Sequence, residues 1–173
     1  LGARLHEPLD AQDARADSAP RVAVVRPTPG TLGAWLDSHT AKGRTGVAFR
    51  GRWGRGTGDI SAIALAGQDG CAAIVSLASL GVQDEKSLTE WLASDGPKAV
   101  HDLKGPLLAL AARGLTLGGV TSDTALSAYI ALPGQRSLDP AALSLRYLNR
   151  DLTAADGESG HLSSVGAYVG RAA

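Results

Sequence analysis

The sequence predicts an α/β fold with three layers, a mixed sheet of about five strands flanked by helices. Three observations carry that reading. An antiparallel set of strand-like runs fills residues 46–77, the apolar period then changes to a strand–helix alternation, and turn and cap residues fall between the segments.

The segments follow in order. Val22-Ala23-Val24-Val25 reads as a short edge strand, and Thr28-Pro29-Gly30 leads into a helix carrying Leu32, Trp35 and Leu36 that breaks at Gly43. Gly46–Arg50, Ile60–Leu65 and Ala72–Leu77 are the three strands. Short connections, among them the hairpin-like Gln68-Asp69-Gly70, make their pairing antiparallel. Ser87-Leu88-Thr89-Glu90 has capping-box spacing and predicts a helix opening there and running through Trp91 and Leu92. Lys98–His101 is a short strand, Leu107–Ala111 a helix that stops at Gly114, and Val120-Thr121 a last strand. Asp123 caps a helix over Thr124–Leu132, worth about 1 kcal/mol, and Asp139-Pro140 caps and starts a final one through Leu148.

Composition narrows the function. Seventeen basic and seventeen acidic residues balance within a 173-residue chain, so no overall field draws it to nucleic acid or an anionic membrane. No apolar run reaches the ~18 residues of a membrane span, and the amino end lacks a signal-peptide layout; a single cysteine allows no disulfide within the chain, which is consistent with a cytoplasmic origin. A first residue other than Met suggests a piece of something longer. Residues 1–20, with Asp10, Asp13, Asp17, Pro8 and Pro20 and few apolar anchors, read as a linker from a preceding domain, and 151–173 as a flexible acidic Gly/Ser linker and the start of a further helix; the folded unit is 21–150.

Single-residue candidates mostly have bland explanations. Cys71, the one cysteine, lies in an apolar run and reads as a small buried hydrophobe. His6, His39, His101 and His161 show no zinc-site spacing. Gly54-Arg55-Gly56-Thr57-Gly58 lacks the Lys and the strand-to-helix setting of a phosphate loop and reads as a flexible turn. Lys42, Arg44, Arg50, Arg52 and Arg55, with Trp53 among them and no acid between, could hold phosphates and stack a base, although a solvated basic hairpin is the simpler account.

The stretch Gly119–Ile130, with Pro133–Ser137 and Leu143–Leu148 after it, closely resembles the 3′–5′ exonuclease-like domain of actinobacterial family A DNA polymerases. The resemblance covers about 21–150 and implies a ribonuclease-H-like fold. Active members hold two Mg²⁺ ions about 4 Å apart with four acids. Their Asp-x-Glu at the end of the first central strand corresponds here to Gly51-Arg52-Trp53. In His101-Asp102-Leu103-Lys104-Gly105-Pro106, Asp102 stands at the family's Asn and Pro106 at its metal-binding Asp, while Tyr168 offers the Tyr that precedes the fourth acid, whose own position stays open. The resemblance therefore implies a vestigial site at Gly51, Trp53, Asp102 and Pro106, with no catalytic residue and no metal. Mg²⁺ would belong only to the parent's polymerase domain. The partners implied are the parent's polymerase and 5′-nuclease domains, and DNA through the parent. An active exonuclease would need another acid, such as Asp59 or Asp69, brought into the site.

Overall fold

A computed structural model describes residues 22–54, 57–134, 137–149 and 151–152. The linker 1–20, Arg55, Tyr168, His6, His161 and nearly all of the segment 151–173 lie outside the described residues.

Six strands form one sheet: β1 (Ala23–Val25), β2 (Thr45–Gly54), β3 (Thr57–Ala66), β4 (Cys71–Ser76), β5 (Lys98–Val100) and β6 (Val120–Asp123). Their order across the sheet is β1-β4-β3-β2-β5-β6. The β2–β3 and β3–β4 pairs are antiparallel, while β1 joins β4, β5 joins β2 and β6 joins β5 in parallel. The helices are α1 (Leu32–Thr40), α2 (Val82–Ala93), α3 (Lys104–Ala112), α4 (Thr124–Ala131) and α5 (Pro140–Leu148), with a 3₁₀ turn at Leu77–Ser79.

β2 and β3 run much further than their apolar runs foretold. They continue to Gly54 and Thr57, so most of the expected glycine-rich turn is paired strand. The pairing slips between Arg50 and Gly51: Arg50 faces Ala62 whereas Gly51 faces Ile60, leaving Ser61 as an extra residue on β3. Ser61 Oγ donates to the Arg50 carbonyl at 3.1 Å. Such a bulge resets which side chains share a face. Ile60 and Ile63, an odd step apart, thereby enter one core with Val47, Leu65, Val75 and Val100.

That core is closed by Leu32 and Leu36 of α1, Leu88 and Leu92 of α2, and Ala109 and Leu110 of α3. A fully buried Leu contributes roughly 1.5–3 kcal/mol, so this layer dominates the stability. A smaller cluster joins Ala99 of β5 to Ala128 of α4, Leu143 of α5 and Leu152. On the alternate positions of the central strands Ala48, Ala62, Ala64 and Ile74 make a face of small residues.

The predicted capping box is not one. α2 begins at Val82 behind Gly81, five residues early, and Ser87 lies inside it, donating Oγ to the Gln83 carbonyl at 3.1 Å. Asp84 and Glu85 occupy the first turn, where the helix dipole favours acids. Asp84 is buried and its carboxylate accepts from the amides of Gly30 (2.7 Å) and Leu32 (3.1 Å), so α2 caps the start of α1. Asp139 caps α5 as expected, accepting from the Ala141 amide at 2.7 Å, with Pro140 in the first turn.

Lys98 opens β5 with its side chain fully buried. Its Nζ donates to the carbonyls of Ser94 (2.8 Å) and Gly96 (3.0 Å) and lies 4.7 Å from the centre of the Trp91 ring. Burial holds its pKa below the usual lysine value, partly offset by the charge of Asp95.

Candidate functional site at the carboxyl ends of the parallel strands

In parallel α/β sheets, sites form where strands end and helices begin. Here β2, β5 and β6 run parallel, and every residue of the predicted vestigial site falls beyond or near their carboxyl ends.

The end of β2 is closed by an indole. Trp53 alternates in phase with Phe49 and Gly51, on the face that packs against α3. A Cβ on Gly105, near the start of α3, would collide with Trp53 Cδ1 and lie 2.6 Å from Nε1. A Cβ on Gly51 would run into the Asp59 carbonyl oxygen and lie 3.0 Å from Trp53 Cζ3. The ring therefore reaches from Gly51 to Gly105, with buried Pro106 next to it in α3. Only residues without a side chain leave room for it. The neighbouring Gly58 of β3 repeats the theme, since a Cβ there would lie 2.7 Å from Ala109 Cβ. Trp53 thus lies against Gly51 and Gly105, and Pro106 follows Gly105 in α3.

The turn after β5 is held differently. Asp102 is exposed and takes a left-handed backbone, φ 49°. Asp123, at the end of β6, accepts from the amides of Asp102 (3.0 Å) and Leu103 (2.9 Å) with its two carboxylate oxygens. The same carboxylate accepts from Ala125 (3.0 Å) and, more loosely, Leu126 (3.4 Å) at the start of α4. The predicted N-cap is therefore also the anchor of the 101–103 turn. His101 Nδ1 is 2.8 Å from Thr124 Oγ1, which donates to the Val100 carbonyl at 3.4 Å. Burial lowers the His101 pKa below the ordinary value, against the opposing pull of Asp123, Asp102 and Asp139.

The two spare acids do not join this place as free carboxylates. Asp59 pairs with Arg113, which follows α3, at 2.8 Å to Nε and 2.7 Å to a terminal nitrogen. Asp69 lies in the β3–β4 turn, at the other end of β3. The basic stretch is likewise dispersed. Lys42 and Arg44 precede β2, while Arg50 and Arg52 alternate with Gly51 and Trp53 and so leave the opposite face of the strand.

One expectation needs correcting: Cys71 is half-buried at the start of β4 rather than in the core. His39 is a part-exposed, hydrogen-bonded histidine, with Nδ1 2.6 Å from Asp69 Oδ2. Cys71 lies two residues beyond that Asp, and the metal-ligating atoms of all three fall within 4.8 Å of one another. Sequence spacing does not reveal this grouping, because α1 and the β3–β4 turn come into direct contact only in the fold. No signal in the sequence joins residue 39 to residue 69.

With this sheet order, and helices on it, the architecture is that of the ribonuclease-H-like exonucleases. The Escherichia coli exoribonuclease RNase D superposes on 85% of the chain, and 40% of its own, with a TM-score of 0.61 at 15% identity. A structure of the Pol1 POL domain from Mycobacterium smegmatis, in complex with DNA primer-template and dNTP, matches 84% of this chain and 25% of its own length, with a TM-score of 0.77 at 40% identity. DNA polymerase I of Mycobacterium leprae is 48% identical over 127 residues, 72% of this chain. No protein-family model matches. The chain belongs to the DNA polymerase I family, in which it corresponds to the exonuclease-like domain. It spans 14% of the length of that curated relative. No described helix is long and apolar enough to cross a membrane.

Proposed function

We propose that the domain is catalytically silent and serves as a structural spacer between the 5′-nuclease and polymerase parts of a parent enzyme acting in DNA replication and repair. The observation that carries this reading is the Trp53 ring lying against both Gly51 and Gly105, where β2 and the start of α3 come together. A two-metal exonuclease needs carboxylate oxygens converging on hard cations. Glycine, indole and proline side chains offer none, and the indole, although 38% exposed, lies against the backbone of Gly51 and Gly105. Asp123 is committed to backbone amides and Asp59 to Arg113, which leaves the exposed Asp102 as a single carboxylate where two metals need several. The described residues therefore do not fit a Mg²⁺ pair. Nucleotidyl transfer on DNA belongs, on this reading, to the parent's polymerase domain.

The test is Mn²⁺-dependent release of 3′ nucleotides from labelled single-stranded DNA. The domain should release none. Neither should the Gly51→Asp, Trp53→Glu, Pro106→Asp variant, because ligands must sit within about 0.5 Å of productive geometry and a side chain at Gly51 meets the Asp59 carbonyl. Chelator-sensitive cleavage by the unaltered domain, lost on Asp102→Asn, would overturn the reading.

A further inference from the structure

We propose that His39, Asp69 and Cys71 form a binding site for a divalent cation of the zinc type, with three protein ligands and an open position for water. The site lies at the far end of β3 from Trp53, roughly 30 Å along a ten-residue strand. It is thus separate from the exonuclease-like end.

The donor set decides the class of ion. One imidazole nitrogen, one carboxylate oxygen and one thiol sulfur suit a borderline cation such as Zn²⁺, whereas Mg²⁺ takes oxygen donors. Zinc bonds of about 2.0 Å to N or O and about 2.3 Å to S set tetrahedral ligands roughly 3.3–3.6 Å apart. The three ligand atoms, all within 4.8 Å of one another, need only small movements to reach that spacing. The His39 Nδ1 to Asp69 Oδ2 contact of 2.6 Å must open by less than about 1 Å, and the sulfur, within 4.8 Å of both, must close by no more than about 1.5 Å. Both side chains of that contact reach solvent, at 28% and 45% exposure, so the ion has an entry path.

The surroundings pre-orient the ligands. Asp69 Oδ1 accepts from the Cys71 amide at 2.9 Å, turning Oδ2 towards His39. Trp35, one turn earlier on α1, packs against the His39 ring with centroids 4.9 Å apart. A Cβ on Gly67 would strike the His39 carbonyl and lie 2.8 Å from Asp69 Oδ1, so the end of α1 touches the backbone of the turn. Outer contacts of this kind fix ligand orientation in metal sites. A bound ion would clip α1 to the β3–β4 turn.

The experiment uses the tag-free chain, stripped with chelator and titrated with Co²⁺ as a spectroscopic stand-in for Zn²⁺. One equivalent should produce thiolate-to-cobalt charge transfer with tetrahedral ligand-field bands, and Zn²⁺ but not Mg²⁺ should displace it. Cys71→Ser should remove the charge-transfer band. His39→Gln and Asp69→Asn should weaken binding by about tenfold or more. Asp69→Asn retains an oxygen acceptor for the Cys71 amide, so its folding is preserved. No thiolate band at millimolar Co²⁺ overturns the proposal, as does binding that the Asn and Gln variants leave unchanged.

Discussion

At the end of β2 the strand itself carries no carboxylate, and glycines admit an aromatic ring against α3. At the ends of β5 and β6 the polar groups remain but are spent, since the Asp123 carboxylate accepts from four backbone amides. Two neighbouring regions with equivalent positions in the sheet have therefore reached rigidity by opposite means. The first rests on shape, which any added atom disturbs. The second rests on charge-assisted hydrogen bonds, which any lost oxygen disturbs.

The sharpest way to break the second region is Asp123→Ala, which strands the amides of Asp102 and Leu103 and removes the cap of α4. A cap is worth about 1 kcal/mol and a hydrogen bond to a charged group about 1.5–3 kcal/mol, so urea unfolding should show a loss of roughly 3 kcal/mol or more. A loss below about 1 kcal/mol would mean that the 101–103 turn is held by something else.

The matching stroke at the first region adds an atom. Gly105→Ala places a methyl against the Trp53 indole, and overpacking of this kind costs about 1–3 kcal/mol. In a Trp53→Ala background the same change should cost nothing or stabilise, because Ala is otherwise the better helix residue by about 1 kcal/mol. Thermal unfolding of the four proteins in this cycle gives the coupling directly. Additive effects would show that the ring does not rest on Gly105.

The gentlest probe is pH. Because folding lowers the His101 pKa, the unfolded chain binds the proton more readily, and stability rises with pH through that window. The His101 contribution is fully present above the unfolded value of about 6.5 and is lost as pH falls through it towards the lower folded value. The urea midpoint of the unaltered domain, minus that of His101→Gln, should therefore fall between about pH 7 and pH 5. A pH-independent difference would show that the imidazole near Thr124 titrates alike in both states.

How much of this was legible depended on how local the cause was. Asp123 and Asp139 announced their helices because a cap is settled within three residues, and Gln68-Asp69-Gly70 marked its turn for the same reason. The apolar runs around Phe49, Ile63 and Ile74 placed the antiparallel strands. The start of α2 was misread because Ser87-Leu88-Thr89-Glu90 satisfies the box pattern while lying inside a longer helix, and nothing nearby reveals that Asp84 serves α1. The Ser61 bulge was hidden too, although a period that breaks between Ile60 and Ile63 is its trace. At the site, the family resemblance picked out Gly51, Trp53 and Pro106, but not that the indole itself lies against the backbone of Gly51 and Gly105. The second duty of Asp123 also depended on contacts across 20 residues, which no local rule contains.

Lys98 gives the fold a built-in reporter of its own opening. Its amine is enclosed by loop carbonyls and the Trp91 ring, whereas Lys42, Lys86 and Lys104 are exposed. An amine-reactive label should therefore modify those three at once and reach Lys98 only when β5 comes away from the loop after α2. Under fast reclosing, the labelling rate at this one position follows the population of the open form. Mass spectrometry of a single peptide would then read the stability of the central sheet in dilute or crowded mixtures, without denaturant and without an engineered probe.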